Sequence, residues 1–308
     1  MGITGAGKST FIKQVSGLDV QVGHSLRSCT SEIGIYAYPH SSGRTIYLVD
    51  TPGFDDTERS DKEILENIAD FFARIYSGKY PVAGLIYLHK IDGNRMQGSS
   101  RRNLKLLQDI CGTKTLDSVI LATTMWDKVD PDDGERNERE LISNKDFWGR
   151  MIDAGSAVRR HDRKAHSAAS IVSDIVDKAG RRFEKPVLQI QTEMVDDGKL
   201  LNQTAAGISL VGDLELQAEK HKSELASLQK EWKEAMEAKD KKWQEEVEEE
   251  SRAAREKLRQ AEQDKADLAV SLANIQKKKK NSFWRVVKKV AKIAVPVAIG
   301  FTTGIFVP

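Results

Sequence analysis

The sequence is poor in the residues that staple a chain or carry it through a membrane. Two cysteines, Cys29 and Cys111, occur in 308 residues. That excludes a disulfide framework and fits two free thiols in a reducing compartment. Neither sign of charge is in excess: 48 lysines and arginines stand against 46 aspartates and glutamates, a net charge of +2. Global charge therefore singles out no polyanionic partner. No long apolar run precedes the C-terminal tail, so the body of the chain offers no spanning helix. Residues 213–280 contain neither glycine nor proline, which removes the usual helix breakers there. The chain opens on glycines rather than on a basic and then apolar leader, and the expectation is a cytoplasmic protein.

What is present begins at once. Residues 2–9 read Gly-Ile-Thr-Gly-Ala-Gly-Lys-Ser, a full match to the phosphate-loop pattern G-x-x-x-x-G-K-[ST]. Gly2, Gly5 and Gly7 permit a tight path and close approach of phosphates. The residues expected to bind nucleotide here are Gly2, Thr4, Gly5, Ala6, Gly7, Lys8, Ser9 and Thr10. Lys8 should reach the β- and γ-phosphates, and Ser9 should hold Mg²⁺. Phe11, Ile12 and Val15 supply the buried face of a short helix, whose positive end faces the phosphates. Such a loop ordinarily follows a buried strand, and only Met1 precedes it. The expectation is a shortened domain without its first strand.

Residues 18–32 read as a loop. Residues 33–39 and 45–49 read as strands joined by a turn at Ser41, Ser42 and Gly43. The second strand runs into Asp50, which opens Asp-Thr-Pro-Gly-Phe-Asp-Asp. A carboxylate at that strand end can hold a Mg²⁺-bound water, and the N–H of Gly53 can meet the γ-phosphate. A threonine sensing Mg²⁺ and the γ-phosphate should lie between the first helix and the next strand. Thr30 is the choice, with Ser28 and Ser31 as competitors. The expected metal ligands are thus Ser9, Thr30 and Asp50, and the expected catalytic set is Lys8, Thr30 and Gly53. Phe54 stands where a polar residue would orient the attacking water, so turnover should be slow. Asp55, Asp56 or a second protomer could supply the missing group.

Further along, helices are expected over 60–76 and 101–111 and strands over 82–88 and 119–123. A mobile charged insertion is expected over 130–139. Two helical patches within 141–183 are separated by the basic run 159–164, which reads as a solvated face or as an anion-contacting edge. A last strand is expected over 187–190, and a short helix with Leu200, Leu201 and Ala205 should close the domain. Asp127, in Thr-Met-Trp-Asp after the 119–123 strand, can accept from guanine N1–H and the 2-amino group, or it can cap a helix. Thr124 stands three residues before it. The chain divides into 1–208, a nucleotide domain; 213–280, a long helix or coiled coil; and 281–308, a basic and apolar tail. Leu225, Leu228 and Trp232 form one apolar stripe of the helical part, and Leu258, Ala261, Leu268, Leu272 and Ile275 form another. The tail could meet an anionic membrane surface, pack on protein or stay disordered. The membrane reading would place the protein at the periphery of an intracellular membrane.

On the strength of residues 2–9, the Asp50 motif and the Thr124 motif, residues 1–208 resemble a fungal G-domain family of P-loop NTPases. Tyr87-Leu-His-Lys-Ile, Gly98-Ser-Ser-Arg-Arg-Asn-Leu and Phe147-Trp-Gly carry the same likeness. The family is similar to septin-like, AIG1-type (immune-associated nucleotide-binding) and Toc-type GTPases. The resemblance implies an α/β fold, a three-layer G domain, GTP and GDP as ligands and Mg²⁺ as cofactor. It also implies a nucleoside triphosphate hydrolase, without specifying its biological role; the leading expectation is a switch or assembly module, with a homodimer through the G domain or the coiled coil. One departure matters: the usual Asn-Lys-x-Asp reads Thr-Met-Trp-Asp, so guanine selectivity rests mainly on Asp127. An ATP or mixed-specificity hydrolase and a non-catalytic coiled-coil scaffold are the alternatives. A nucleic-acid role is disfavoured, because the basic runs lack a recognition module. Loss of a central strand leaves ladders unpaired, so a chain beginning at Met1 should be less stable and bind nucleotide weakly. Adding the upstream strand should raise both GTP affinity and the thermal midpoint; equal values for the two forms would refute this.

Overall fold

The computed structural model describes residues 1–17, 33–54, 59–92 and 98–278. Thr30, its competitors Ser28 and Ser31, Asp55, Asp56 and the 281–308 tail lie outside the described residues.

After α1 (Lys8–Ser16), β1 (Gly34–Pro39) and β2 (Thr45–Asp50) pair antiparallel, with Gly34 opposite Asp50. The turn between them closes as the His40 N–H donates to Arg44 O at 2.9 Å. α2 (Asp61–Ser77), β3 (Leu85–Lys90), α3 (Gly98–Cys111), β4 (Val119–Thr124), α4 (Pro131–Ser143), α5 (Arg150–Asp153), β5 (Ala157–Arg160), α6 (Ala165–Arg181) and α7 (Gln189–Gln191) follow. β3, β4 and β5 form a parallel sheet in that order. β4 is buried along its whole length, as a strand covered on both faces must be, and its apolar run is correspondingly continuous.

Alternation along the strands sorts the core. Leu85, Tyr87, Val119 and Leu121 face a cluster with Ile64, Leu65 and Ile68 of α2 and Leu104, Leu107 and Ile110 of α3. Leu88, Ile120 and Ala122 face Phe11, Ile12 and Val15 of α1 and Ile171, Val172 and Ile175 of α6. Helices thus cover both faces of the sheet, and the fold is the three-layer α/β arrangement of a G domain. α2 has its own start signal: the Ser60 hydroxyl accepts from the Glu63 N–H, and the apolar residues recur at helical spacing behind it. Beside β3, the Met1 backbone nitrogen donates to Ile86 O at 2.7 Å, and Met1 O accepts from the Leu88 N–H at 2.9 Å. This is the parallel-ladder pattern around Tyr87, at the place a first strand would occupy.

Several expectations change. Residues 187–190 are not a strand. Leu188 and Ile190 are buried at the start of α7, and the Leu188 N–H is taken by Gln191 Oε1 at 2.9 Å rather than by a ladder partner. The charged 130–139 segment, expected as a mobile insertion, is largely helical: Asp130 caps α4 by accepting from the Asp132 N–H at 3.0 Å, and Pro131 suits its first turn. The basic run does not simply link two helices, because 157–160 form β5 against β4.

The helical region is two antiparallel helices rather than one rod. α8 (Ala205–Glu237) starts at Thr204, whose hydroxyl accepts from the Gly207 N–H at 3.0 Å, and it runs unbroken through 208–213. α9 (Lys241–Asp267) folds back along it. The reversal is made by Lys239 at φ 57° and by Asp240, which caps α9 through the Trp243 N–H. Leu228, Val247 and Ala254, with Leu225, Trp232 and Trp243 beside them, form the hairpin's own core. Each apolar stripe thus finds its partner within the chain. α10 (Leu272–Lys278) returns to α2. No described helix is long and apolar enough to cross a membrane. Truncating Leu228 to alanine should destabilise the hairpin by about 2–4 kcal/mol, seen as a lower denaturation midpoint by circular dichroism. An unchanged midpoint would contradict this packing.

Candidate nucleotide site

The phosphate loop leaves the edge of β3 under a severe steric condition. Gly2 has φ 137°, and a Cβ there would lie 2.3 Å from Leu88 O; only glycine fits. The loop closes with the Ala6 N–H on Ile3 O at 3.2 Å, and α1 starts at Lys8 behind Gly7. A glycine cap brings no side-chain acceptor of its own, which suits a helix end facing an anion. Lys8 folds back over the loop, its Nζ donating to Gly2 O at 2.9 Å and Ile3 O at 3.0 Å.

The end of β2 comes to the same place. Asp50 is buried, and its Oδ2 accepts from Ser9 Oγ at 2.7 Å. Gly53 lies so close that an added Cβ would sit 2.6 Å from Thr4 N and 2.9 Å from Lys8 Nζ. The 50–53 corner therefore rests directly on the phosphate loop. Ser9 and Asp50 offer adjacent hard oxygen donors, which fits Mg²⁺, an ion usually held by one or two protein oxygens together with phosphates and water. Among the described residues no group of three or more His, Cys, Asp or Glu side chains could hold a metal by itself. The expected third ligand, Thr30, is outside the described residues. Phe54 is buried in the core with α2, so its ring is packing rather than a water-orienting group.

β4 delivers the other end of the site. Thr124 Oγ1 lies 3.1 Å from Ala6 O and 3.2 Å from His89 O, tying the β4 end to the phosphate loop and β3. Met125 has φ 62° and brings its methyl to 3.8 Å from a Cβ built on Gly7. It lies against the phosphate loop, in the motif position that usually carries lysine. Trp126 Nε1 donates to Thr123 Oγ1 at 3.0 Å, and the Arg160 guanidinium lies 4.2 Å from the Trp126 ring centre, a cation–π contact. Asp127 is not the α4 cap, which is Asp130. Its Oδ2 accepts from Arg163 Nη1 at 2.9 Å. The basic run is thus divided among acidic partners: Arg159 pairs with Asp174, Arg160 with Glu138, and Arg163 with Asp127.

His161 was not singled out by the sequence, where it is one polar residue in a basic run. It is buried, its N–H donates to Thr123 O at 2.8 Å, and its ring nitrogens meet Gln14 Oε1 at 2.9 Å and Ser167 Oγ at 2.8 Å. Burial holds its pKa below the ordinary value. Burial pushes His89 down to about 4, leaving it neutral at physiological pH, edge-on to Trp148 with ring centres 5.8 Å apart. Cys111 is pushed up to about 12 by burial, so its thiol stays protonated and inert.

The phosphate loop, the 50–53 corner resting on it and the 124–127 turn on the same sheet edge form the phosphate-loop site of an α/β G-domain fold. Residues 1–123 match the family model described as 50S ribosome-binding GTPase. The chain is similar to the solved structure of Toc33 from Arabidopsis thaliana in complex with GDP and Mg²⁺, with 18% identity and a TM-score of 0.48 over 61% of this chain and 85% of that one. Toc33 in complex with Mg²⁺ and GMPPNP gives 18% identity and a TM-score of 0.45 over 59% of this chain and 83% of that one. Translation elongation factor SelB from Methanococcus maripaludis, with GPPNHP, gives 16% identity and a TM-score of 0.38 over 60% of this chain and 33% of that one.

Replacing Gly53 with alanine forces the 50–53 corner off the phosphate loop. Overpacking of this kind costs about 1–3 kcal/mol, equivalent, if borne by binding, to roughly five- to 150-fold in affinity. Titration with a fluorescent nucleotide in the presence of Mg²⁺ should read that loss; wild-type affinity would contradict the close contact.

Proposed function

We propose that the chain binds GTP and GDP with Mg²⁺ and hydrolyses GTP slowly, as a nucleotide-dependent switch or assembly module. The observation that carries this reading is the meeting of Ser9 and Asp50 at 2.7 Å, which brings a phosphate-loop hydroxyl and a strand-end carboxylate together as a divalent-cation pair. In this reading Lys8 bears on the β- and γ-phosphates, Ser9, Asp50 and Thr30 hold the ion, and Gly53 couples the 50–53 corner to the γ-phosphate. Gly2, Thr4, Gly5, Ala6, Gly7 and Thr10 line the phosphates. Thr124 and Asp127 serve the base. When bound, Mg²⁺ neutralises developing charge on the phosphates.

Slow turnover follows from Phe54, which is buried and has no group to orient water. A second protomer supplying that group belongs to the same proposal, as do a nearer kinship to septin-like and AIG1-type GTPases and contact of the 281–308 tail with an anionic membrane surface. Phe54 also favours a second reading, a non-catalytic coiled-coil scaffold with a degenerate G domain that presents the helical hairpin to a partner.

Competition of GTP, GDP and ATP, with and without Mg²⁺, tests the first reading. GTP and GDP should bind in preference to ATP, and Asp127→Asn should move the preference to xanthine nucleotides. Equal affinities for GTP and ATP would replace it with a mixed-specificity hydrolase, and no Mg²⁺-dependent binding would leave the scaffold.

A further inference from the structure

Asp127 and Arg163 come from different loops, after β4 and after β5, yet their side chains meet at 2.9 Å. The pair is at the surface: Asp127 is 56% exposed and Arg163 41%. The backbone that delivers the guanidinium is nevertheless firmly held. Arg163 has φ 63°, a left-handed conformation uncommon outside glycine. Its carbonyl accepts from Gln14 Nε2 of α1, while Gln14 Oε1 meets His161 Nε2 at 2.9 Å. The following residue is fixed as well, with the Lys164 N–H on Asp162 Oδ1 at 3.0 Å. One glutamine on the helix behind the phosphate loop therefore clamps the 161–163 turn and aims its arginine at Asp127.

The chemistry of that contact resembles base recognition. Guanine presents N1–H and a 2-amino N–H, two parallel donors that a carboxylate accepts together. A guanidinium carries a similar planar donor fork, of which Arg163 has one N–H on Asp127 Oδ2. Adenine, with an acceptor at N1, presents no such pair. We propose that Arg163 is an intramolecular competitor for guanine, a specificity-determining residue that occupies the Asp127 carboxylate until the base displaces it. This rests on the reading of Asp127 as the base-recognising carboxylate. Displacement needs only a swing of the exposed Arg163 side chain, since Gln14 and His161 keep the turn in place. Exposed ion pairs are weak, so the competitor tunes guanine affinity without blocking it. An adenine nucleotide gains nothing from freeing Asp127 and is indifferent to Arg163.

The test is titration of the full chain with GDP, GTP and ATP in Mg²⁺, comparing wild type, Arg163→Ala and Arg163→Met, the last keeping an unbranched stem without the charge. Apparent affinity is reduced by the fraction of protein in the closed form. Both variants should therefore bind GDP and GTP roughly two- to sixfold more tightly than wild type, with ATP unchanged. The gain should shrink at high salt, which screens an exposed pair. In an Asp127→Asn background, Arg163→Ala should give no gain for xanthine nucleotides, because the charge it competes for is gone. Unchanged or weaker guanine affinity in the Arg163 variants, with guanine preference over ATP retained, overturns the competitor alone. Loss of guanine preference in wild type and variants alike overturns the assignment of Asp127 and the competitor with it.

Discussion

The carbonyl of Leu88 lies where any side chain at residue 2 would have to begin, and much of the site follows from that constraint. Because Gly2 can pass over it, the chain turns directly from the edge of β3 into the phosphate loop. Lys8 then folds back onto the first carbonyls of that loop. Thr124 reaches across from β4 to Ala6 and to His89 of β3. Two strands and the loop are thereby fixed to one another through backbone carbonyls that accept from the Lys8 and Thr124 side chains. The 50–53 corner rests on this frame and inherits its precision.

A second tier of contacts joins the frame to the turn after β5. The amide of Gln14 has one end on His161 and the other on Arg163, so α1 is coupled to that turn as well as to the phosphate loop. Burial favours the uncharged form of His161, whose two ring nitrogens are both bonded. Position by position the arginines nearby have different work: Arg160 stacks on Trp126 and binds Glu138, while Arg163 holds Asp127.

Much of this was legible where local chemistry alone decides. The phosphate-loop pattern, the strand ending at Asp50, the amphipathic α2 and the wholly apolar β4 each announce themselves over a few residues. The misses share a cause, in that the deciding partner is distant in sequence. β5 is Ala-Val-Arg-Arg, half charged, and is a strand because β4 is beside it. Leu188 and Ile190 alternate like a strand, but Gln191 satisfies the Leu188 N–H and also donates to Phe72 O of α2, holding a helical turn there. The hairpin reversal at 238–240 has no glycine or proline to signal it, since Lys239 takes the left-handed conformation itself. At the site, the residue types of Ser9, Asp50 and Gly53 were readable, whereas the Asp127–Arg163 pairing depends on how two loops fold toward each other.

The helical hairpin has a mechanical consequence. α8, at 33 residues, is about 50 Å long at 1.5 Å per residue, and its reversal lies at the far end. Its base is fastened to α2: Lys62 binds Asp267 at 2.9 Å near the end of α9, and α10 returns to the same helix. α2 in turn begins shortly after the corner that rests on the phosphate loop. A tilt of about 5° at the base of an arm of that length displaces its tip by about 4 Å. The hairpin therefore has the geometry of a lever, its base fastened to the helix that begins eight residues after Gly53.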